Sequence, residues 1–249
     1  MARILGNKVI RYPNLSSTNQ MMKELLQDGI VANGSVVTSM TQSEGKGRLG
    51  RRWESPEGGL WMSVLLEMDA DFESGKLGLI SLIAGSSVAT AIIMEYEVDA
   101  GLKWPNDVLI DGRKVCGILA ELVDVEKRRF VILGIGVNVN NRMAGSYEFS
   151  DSSTSISEEF KKNVKIDVLE NTILEELDFR MGLLKNKEYG TILEDWRNLS
   201  ETIGRRVKVL TPSGEFNGLA KDIDDNGSLV MDMDGRLEII LAGDCRHLD

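Results

Sequence analysis

The chain has 249 residues, with 29 Lys and Arg against 39 Asp and Glu and a formal net charge of −10. Its 42% hydrophobic and 27% charged content is that of an ordinary globular protein. This excludes a disordered or collagen-like chain, and the acidic balance argues against a general nucleic-acid coat or a protein held on an anionic membrane surface.

In chain order, the N-terminal MARILGNKVIRYPN lacks the roughly 7–15-residue apolar core of a secretory signal. Ser16-Ser17-Thr18-Asn19 supplies N-cap residues, and Met21, Met22, Leu25 and Leu26 follow at helical spacing up to Gly29. Five β-rich runs come next: Ser35–Thr41, Leu60–Met68, Leu102–Ile110, Val115–Val123 and Phe130–Val139. The last two flank a polar DVEKRR turn and predict an antiparallel hairpin. Leu77 to Met94 carries no charge. Its Gly, Ser and Thr content and the close boundaries at Lys76 and Glu95 predict a helix buried in a soluble domain, with no membrane span.

From Ser155 the pattern turns helical. Ser155 and Glu158 have capping-box spacing, and Val168, Leu169, Ile173, Leu174, Leu177, Met181 and Leu184 line one face. Glu175, Glu176 and Asp178 read as a solvated helix face, and a further helix is predicted around Tyr189–Leu199. Short strands separated by PSGE, DDNG and MDG turns complete the chain. The expected organisation is an α+β domain over residues 1–200, with a mixed or antiparallel sheet flanked by helices, and a small β-barrel over 201–249. No N-terminal helix-turn-helix unit, and hence no operator binding, is expected. Cys116 and Cys245 make no disulfide framework, so a reducing cytoplasm is expected.

Four clusters carry chemical character. In Gly45-Lys46-Gly47-Arg48-Leu49-Gly50-Arg51-Arg52-Trp53 the glycines match G-x-G-x-x-G, but Pro56 and Gly58-Gly59 forbid the helix a dinucleotide fingerprint needs. Nor does a G-K-[ST] end the loop as in a P-loop. What remains is either a solvated basic loop or a glycine backbone with cations suited to phosphate oxygens. Lys103-Trp104-Pro105-Asn106-Asp107 ends a strand, either as a capped turn or as a polar constellation. Lys114 enters the apolar run Val115-Cys116-Gly117-Ile118, where it either snorkels to solvent or holds an anion. Gly134 and Gly136, within the Ile135-Val137-Asn138 strand, mark a close approach to the backbone. His247 is the only histidine and cannot build a histidine metal site, and Cys116 reads as a small buried hydrophobe.

Together SSTN at 16–19, GKGRLGRRW at 45–53, KWPNDV at 103–108, KVCGILAE at 114–121 and GIGVNV at 134–139 resemble the catalytic domain of biotin protein ligases. The tail ending AGDCRHLD resembles that family's small SH3-like C-terminal domain. The resemblance implies the class II synthetase-like ligase fold. It also implies ATP and biotin as substrates, with Mg²⁺, giving biotinyl-5′-AMP and pyrophosphate, followed by transfer of biotin to a lysine of a biotin carboxyl carrier domain.

By the same resemblance, Ser17, Thr18, Asn19 and Gln42 hold the ureido head and ring of biotin. Gly45, Lys46, Gly47, Arg48, Lys114, Gly117 and Gly134 complete the biotin site, with Lys114 at the carboxyl or adenylate linkage. Arg48, Arg51, Trp53, Lys103, Asn106, Asp107 and Asn138 fall at nucleotide and phosphate contacts. Lys114, Arg48, Arg51 and Asp107 are the expected catalytic group, with Asp107 orienting or accepting from the incoming amine, and no protein metal site is expected. The family loop usually has arginine where this chain has Lys46, and the two are not interchangeable where a planar fork is used. A homodimer is compatible, and neither nucleic acid nor membrane is expected as a partner. The alternatives are a lipoate–protein ligase and a regulator that binds the adenylate without turnover.

Overall fold

The computed structural model describes residues 3–69, 72–142 and 153–248. A seven-stranded sheet forms the body: β1 (Lys8–Leu15), β2 (Ser35–Gln42), β3 (Leu60–Met68), β4 (Gly101–Lys103), β5 (Asp107–Ile110), β6 (Arg113–Val125) and β7 (Arg128–Val137). Their spatial order is β1-β2-β3-β7-β6-β5-β4, and only the β1–β2 pair is parallel. The predicted hairpin is β6–β7, paired from Cys116↔Val137 to Val125↔Arg128. The expected mixed sheet is therefore present.

Period-two alternation decides what each face of the sheet carries. Met62, Val64, Leu66, Ile118, Leu133 and Ile135 turn to one side, in one buried cluster with the long helix α2 (Leu77–Tyr96). Helix α2 is long and apolar enough to cross a membrane, but it lies inside the protein, packed on the sheet and on α4 (Ile166–Lys185). A helix apolar all round is what such a central position requires. On the opposite face, α1 (Thr18–Gln27) seats Met22, Leu25 and Leu26 against Leu65, Phe130 and Ile132. Ser17 caps α1 by accepting from the Gln20 backbone N–H, as its sequence position predicts.

Four readings need correction. β1 has no counterpart among the expected strands, because Tyr12-Pro13-Asn14 reads as a breaker; an edge strand tolerates the missing proline N–H, and Pro13 falls outside the β1–β2 register. The run Leu102–Ile110 is a hairpin instead of one strand, with Lys103 opposite Asp107 across a turn containing a cis Trp104–Pro105 peptide. The helical pattern from Ser155 is broken: α3 (Ile156–Phe160) ends at Lys161, whose φ is 60°. Ser155 makes no side-chain cap bond there, while Thr154 Oγ1 donates to Glu159 at 2.5 Å. Finally, Asp178 is no bare solvated residue, since it accepts from the backbone N–H of Ile4 and Leu5.

Helix α5 (Tyr189–Leu199) leads into a second sheet of β8 (Arg206–Thr211), β9 (Gly214–Ile223), β10 (Leu229–Met233), β11 (Arg236–Ile240) and β12 (Asp244–His247). All its pairs are antiparallel, in the order β11-β10-β9-β8-β12, and among the described residues no β11–β12 pairing closes it. Trp104 joins the two sheets. It is 1% exposed, its backbone N–H donates to Thr202 Oγ1 at 3.0 Å, and its indole N–H donates to the Gly227 carbonyl at 3.0 Å. Trp104→Phe should lower unfolding free energy by about 1 kcal/mol through the lost hydrogen bond. Trp104→Ala should lower it by about 3–5 kcal/mol, since it leaves a cavity between the sheets. Urea titration followed by circular dichroism checks both.

Candidate active site

A cleft of about 940 Å³ opens on the α1 face of the large sheet. Its position follows from strand β7, whose inward side chains on that face run Phe130, Ile132, Gly134, Gly136. The first two fill the space under α1, and the two glycines leave a bare floor. Gly117 on β6 lies opposite Gly136 and extends it.

Other groups occupy that bare floor closely. A Cβ at Gly136 would stand 2.6 Å from the Trp53 indole nitrogen, one at Gly117 2.9 Å from the Trp53 ring, and one at Gly134 2.5 Å from Asn19 Oδ1. The glycines are therefore spacers that admit Trp53 and Asn19. The Trp53 indole N–H is buried there without a hydrogen-bond partner, and the ring meets Trp61 edge-on at 6.4 Å between centroids.

One end of the cleft is cationic. Lys114 Nζ lies 2.6 Å from Asp107 Oδ1 and 5.1 Å from the Trp53 ring centroid. Arg48 donates to Asn106 Oδ1 at 3.0 Å, and Asn106 in turn donates to the Ile118 carbonyl. Burial lowers the Arg48 pKa, opposed by the charges of Asp107 and Asp244. Arg51 grips Asp244 of β12 with both terminal nitrogens, at 2.9 and 2.7 Å. Hydrogen bonds from Arg51 hold the Asp244 carboxyl below its usual range.

A carboxyl with a depressed folded pKa contributes stability above its unfolded value and loses it as pH falls through the folded value. The stability difference between the parent and Asp244→Asn should therefore be present at neutral pH, begin to shrink only near the ordinary carboxyl value of about 4, and be lost as pH falls through the lower folded value. Because Arg51 is more than half exposed, it should amount to at most about 1 kcal/mol. Thermal melts across pH measure it.

The other end is polar and uncharged. Gln42 Oε1 accepts from the Thr18 backbone N–H at 2.8 Å, and Gln42 Nε2 donates to Ser55 Oγ at 2.8 Å. Ser63 Oγ lies 2.8 Å from Thr18 Oγ1 and 2.6 Å from Asn19 Oδ1, and Asn19 Nδ2 donates to Glu121 Oε2 at 2.6 Å.

The structure brings to this one cleft Ser17, Thr18, Asn19, Gln42, Lys46, Gly47, Arg48, Arg51, Trp53, Lys103, Asn106, Asp107, Lys114, Gly117, Gly134 and Asn138. Gly45 is not among its lining residues. A Cβ at Gly45 would meet the Trp53 carbonyl at 2.3 Å and Ser55 Oγ at 2.7 Å, so it serves the fold of the loop. Lys46 is exposed on the rim, bridged through its backbone to Arg52.

Sequence reasoning missed Ser63, Glu121 and Asp244. A lone serine in the apolar run WMSVLL, and Glu121 two and four places beyond Leu119 and Gly117, were readable signals for two of them. Nothing local marked Asp244. Among the described residues no group of three or more His, Cys, Asp or Glu side chains is arranged to hold a metal ion. The cleft carboxylates of Asp107 and Asp244 are already engaged by Lys114 and Arg51. These residues do not fit a preassembled Mg²⁺ site.

A shallower depression of about 600 Å³ at the start of α5 shares none of these residues. Both thiols are buried; burial raises the Cys116 pKa and pushes Cys245 up to about 12, so neither is a nucleophile.

Comparison with known proteins places this geometry. The model of the biotin/lipoate A/B protein ligase family matches residues 12–138, and that of the biotin protein ligase C terminal domain matches residues 202–248. The chain is 32% identical over 244 residues to the bifunctional ligase/repressor BirA of Bacillus subtilis, covering 97% of this chain and 74% of that protein. It is 34% identical over 237 residues to a biotin–[acetyl-CoA-carboxylase] ligase of Mycobacterium tuberculosis, covering 93% of this chain and 86% of that one. Among solved structures it is similar to the biotin protein ligase of Aquifex aeolicus in complex with biotin and ATP. There the TM-score is 0.84 and the identity 28%, over 97% of this chain and 98% of the other.

Proposed function

Because the chain belongs to the biotin/lipoate A/B protein ligase family, we infer that it is an ATP-dependent biotin–protein ligase. The observation that supports this most directly is the two-ended cleft: neutral polar groups of Thr18 and Gln42 at one end, and Lys114, Lys103, Arg48 and Arg51 at the other. A molecule with a polar but uncharged head and a carboxylate tail fits that gradient, with the tail delivered to the end suited to phosphates.

In the first step a biotin carboxylate oxygen attacks the α-phosphorus of ATP, forming the mixed anhydride and expelling pyrophosphate. Two anions must approach each other, and Lys114, Arg48 and Arg51 compensate the charge that builds up. The guanidinium of Arg51 would exchange Asp244 for phosphate oxygens, since both present the same planar acceptor pair. Gly47 and the turn Arg48–Gly50, with Leu49 at φ 56° and Gly50 at φ 74°, let the loop lie over the reactive anhydride and exclude water.

In the second step a lysine amine of the carrier attacks the acyl carbon, forming an amide and releasing AMP. Asp107 orients Lys114 and accepts from the incoming amine. A Mg²⁺ ion would accompany the nucleotide on its own phosphate oxygens, and the protein's cations do the rest. The partner is a biotin carboxyl carrier domain, without nucleic acid or membrane, and a homodimer is compatible with this role. A cytoplasmic location is proposed with it, since Cys116 and Cys245 are unpaired thiols. Residues 1–200 are proposed as the catalytic unit and 201–249 as the appended one, joined at Trp104.

The test is pyrophosphate release from ATP with biotin and lipoate in parallel, followed by mass analysis of the product. Biotin-dependent release with biotinyl-AMP is the expected result. Release with lipoate alone would move the assignment to the sister activity, and biotin binding without release would make the chain a sensor.

A further inference from the structure

One face of β7 and its continuation runs the length of the cleft. Gly134 makes room for Asn19 and Gly136 for Trp53, and Asn138 follows two residues further on. At about 3.3 Å per residue, Asn138 lies about 13 Å beyond Gly134, away from Thr18 and Gln42. Its backbone is pinned on both sides. The N–H donates to the carbonyl of Val115, the neighbour of Lys114, at 2.8 Å, and the carbonyl accepts from the Ile156 N–H at 3.1 Å. A ligand with its head at Thr18 and its activated carboxyl at Lys114 therefore carries its nucleotide base toward Asn138.

The side-chain amide of Asn138 is held in one sense. Asn138 and Asn141 are both buried, and Asn141 Oδ1 accepts from the Val139 backbone N–H at 2.9 Å. A backbone N–H can only donate, so the oxygen end of the Asn141 amide must face it. The nitrogen end then faces Asn138 at 3.1 Å, where only the Asn138 oxygen can accept. Asn138 Nδ2 is the end left over. Among the described residues nothing accepts from it, and Asn138 lines the cleft.

We propose that Asn141 is a positioning residue for base selection: it turns the Asn138 amide so that an N–H, and not a carbonyl, meets the edge of the base, and the cleft thereby prefers a purine whose N1 is unprotonated. Adenine offers that lone pair, whereas hypoxanthine carries a proton on the same nitrogen. The inference rests on the ligase reading and deepens it, by naming the residue that decides which base is accepted. Asn141 acts through Asn138 and does not need to touch the nucleotide.

The experiment uses the full chain and compares ATP with ITP in biotin-dependent adenylation. Single-turnover pyrophosphate release at rising nucleotide concentration gives the ratio of rate to apparent Kd for each. The parent should favour ATP about tenfold or more, because ITP sets an N–H against an N–H and leaves the Asn138 donor unpaired. In Asn141→Asp the carboxylate still accepts from Val139, but its second oxygen also accepts, so the Asn138 amide must turn round and show its oxygen to the base. The donors of Val139 and Asn138 favour the ionised form of that carboxyl in an assay at about pH 8. The preference for ATP over ITP should fall about tenfold, to near parity or below. Both nucleotides carry the same phosphates, so the added negative charge cancels in that ratio, and a merely structural role would lower both rates together. Biotin Kd by titration calorimetry should stay within about twofold, since Thr18 and Gln42 lie at the far end of the cleft. Thermal melts report folding.

Equal use of ATP and ITP by the parent would overturn the proposal, and that measurement decides even where Asn141→Asp fails to fold. An unmoved ATP-to-ITP ratio in the folded variant would overturn it too, and would make Asn141 a brace for the chain after β7. A parent that releases no pyrophosphate with biotin and either nucleotide would remove the ligase reading itself, an outcome distinct from release with an unmoved ratio.

Discussion

Lys114→Met is expected to reduce biotin-dependent pyrophosphate release by about 100- to 1000-fold, the range seen when one preorganised charge is removed from a reacting centre. The geometry makes the effect larger than loss of one cation. Lys114 sits 2.6 Å from Asp107, whose side chain is only 19% exposed. Without the ammonium, that carboxylate stands unpaired where two further anions must meet. Asp107→Asn in the Lys114→Met background should therefore recover part of the ATP affinity without recovering turnover. Single-turnover measurements that separate ATP binding from adenylate formation check both parts. If Lys114→Met turns over at the parent rate, Lys114 is a surface lysine and the cationic end must work through Arg48 and Arg51.

Gly136→Val is expected to abolish biotin binding, more than 100-fold in Kd, while the protein remains folded. Gly136 has ordinary strand geometry, paired with Trp61 and Gly117, and a β-branched residue suits a strand. The added Cβ would meet the Trp53 indole at 2.6 Å, so the ring must leave the floor and enter the ligand's space. A melting temperature within a few degrees of the parent, together with lost binding, is the expected pair of results. Collapse of the fold would instead show that Trp53 is needed as core. Retained binding would show that the Trp53 ring is not part of the ligand's wall.

Much of this site was written locally. Glycines at alternate positions of an apolar strand state that something must lie against the backbone, and the structure puts Trp53 and Asn19 there. The basic loop and the 103–107 cluster announce themselves by density of charge. Lys103 and Asp107, read as two ends of one strand segment, face each other across a hairpin because Pro105 ends the run. What was hidden is what only long-range pairing creates. Ser63 reads as an accident in an apolar strand until Asn19 reaches it, and Asp244 has no meaning until Arg51 arrives. β1 stayed invisible because an edge strand, half exposed and holding a proline, shows neither clean alternation nor a continuous apolar run.

The pairings that build the cleft span very different stretches of chain. Asn19 and Glu121 lie 102 positions apart, whereas Arg51 and Asp244 lie 193 apart. During synthesis at about 5–20 residues per second, the first contact becomes available many seconds before the second. The polar end, its glycine floor and the Lys114–Asp107 and Arg48–Asn106 contacts therefore become available while the C-terminal sheet is still being made, and the Arg51–Asp244 pair is the last of these contacts to form. A nascent chain stalled between those points would hold a shaped cleft in which Arg51 alone has no carboxylate to seat it.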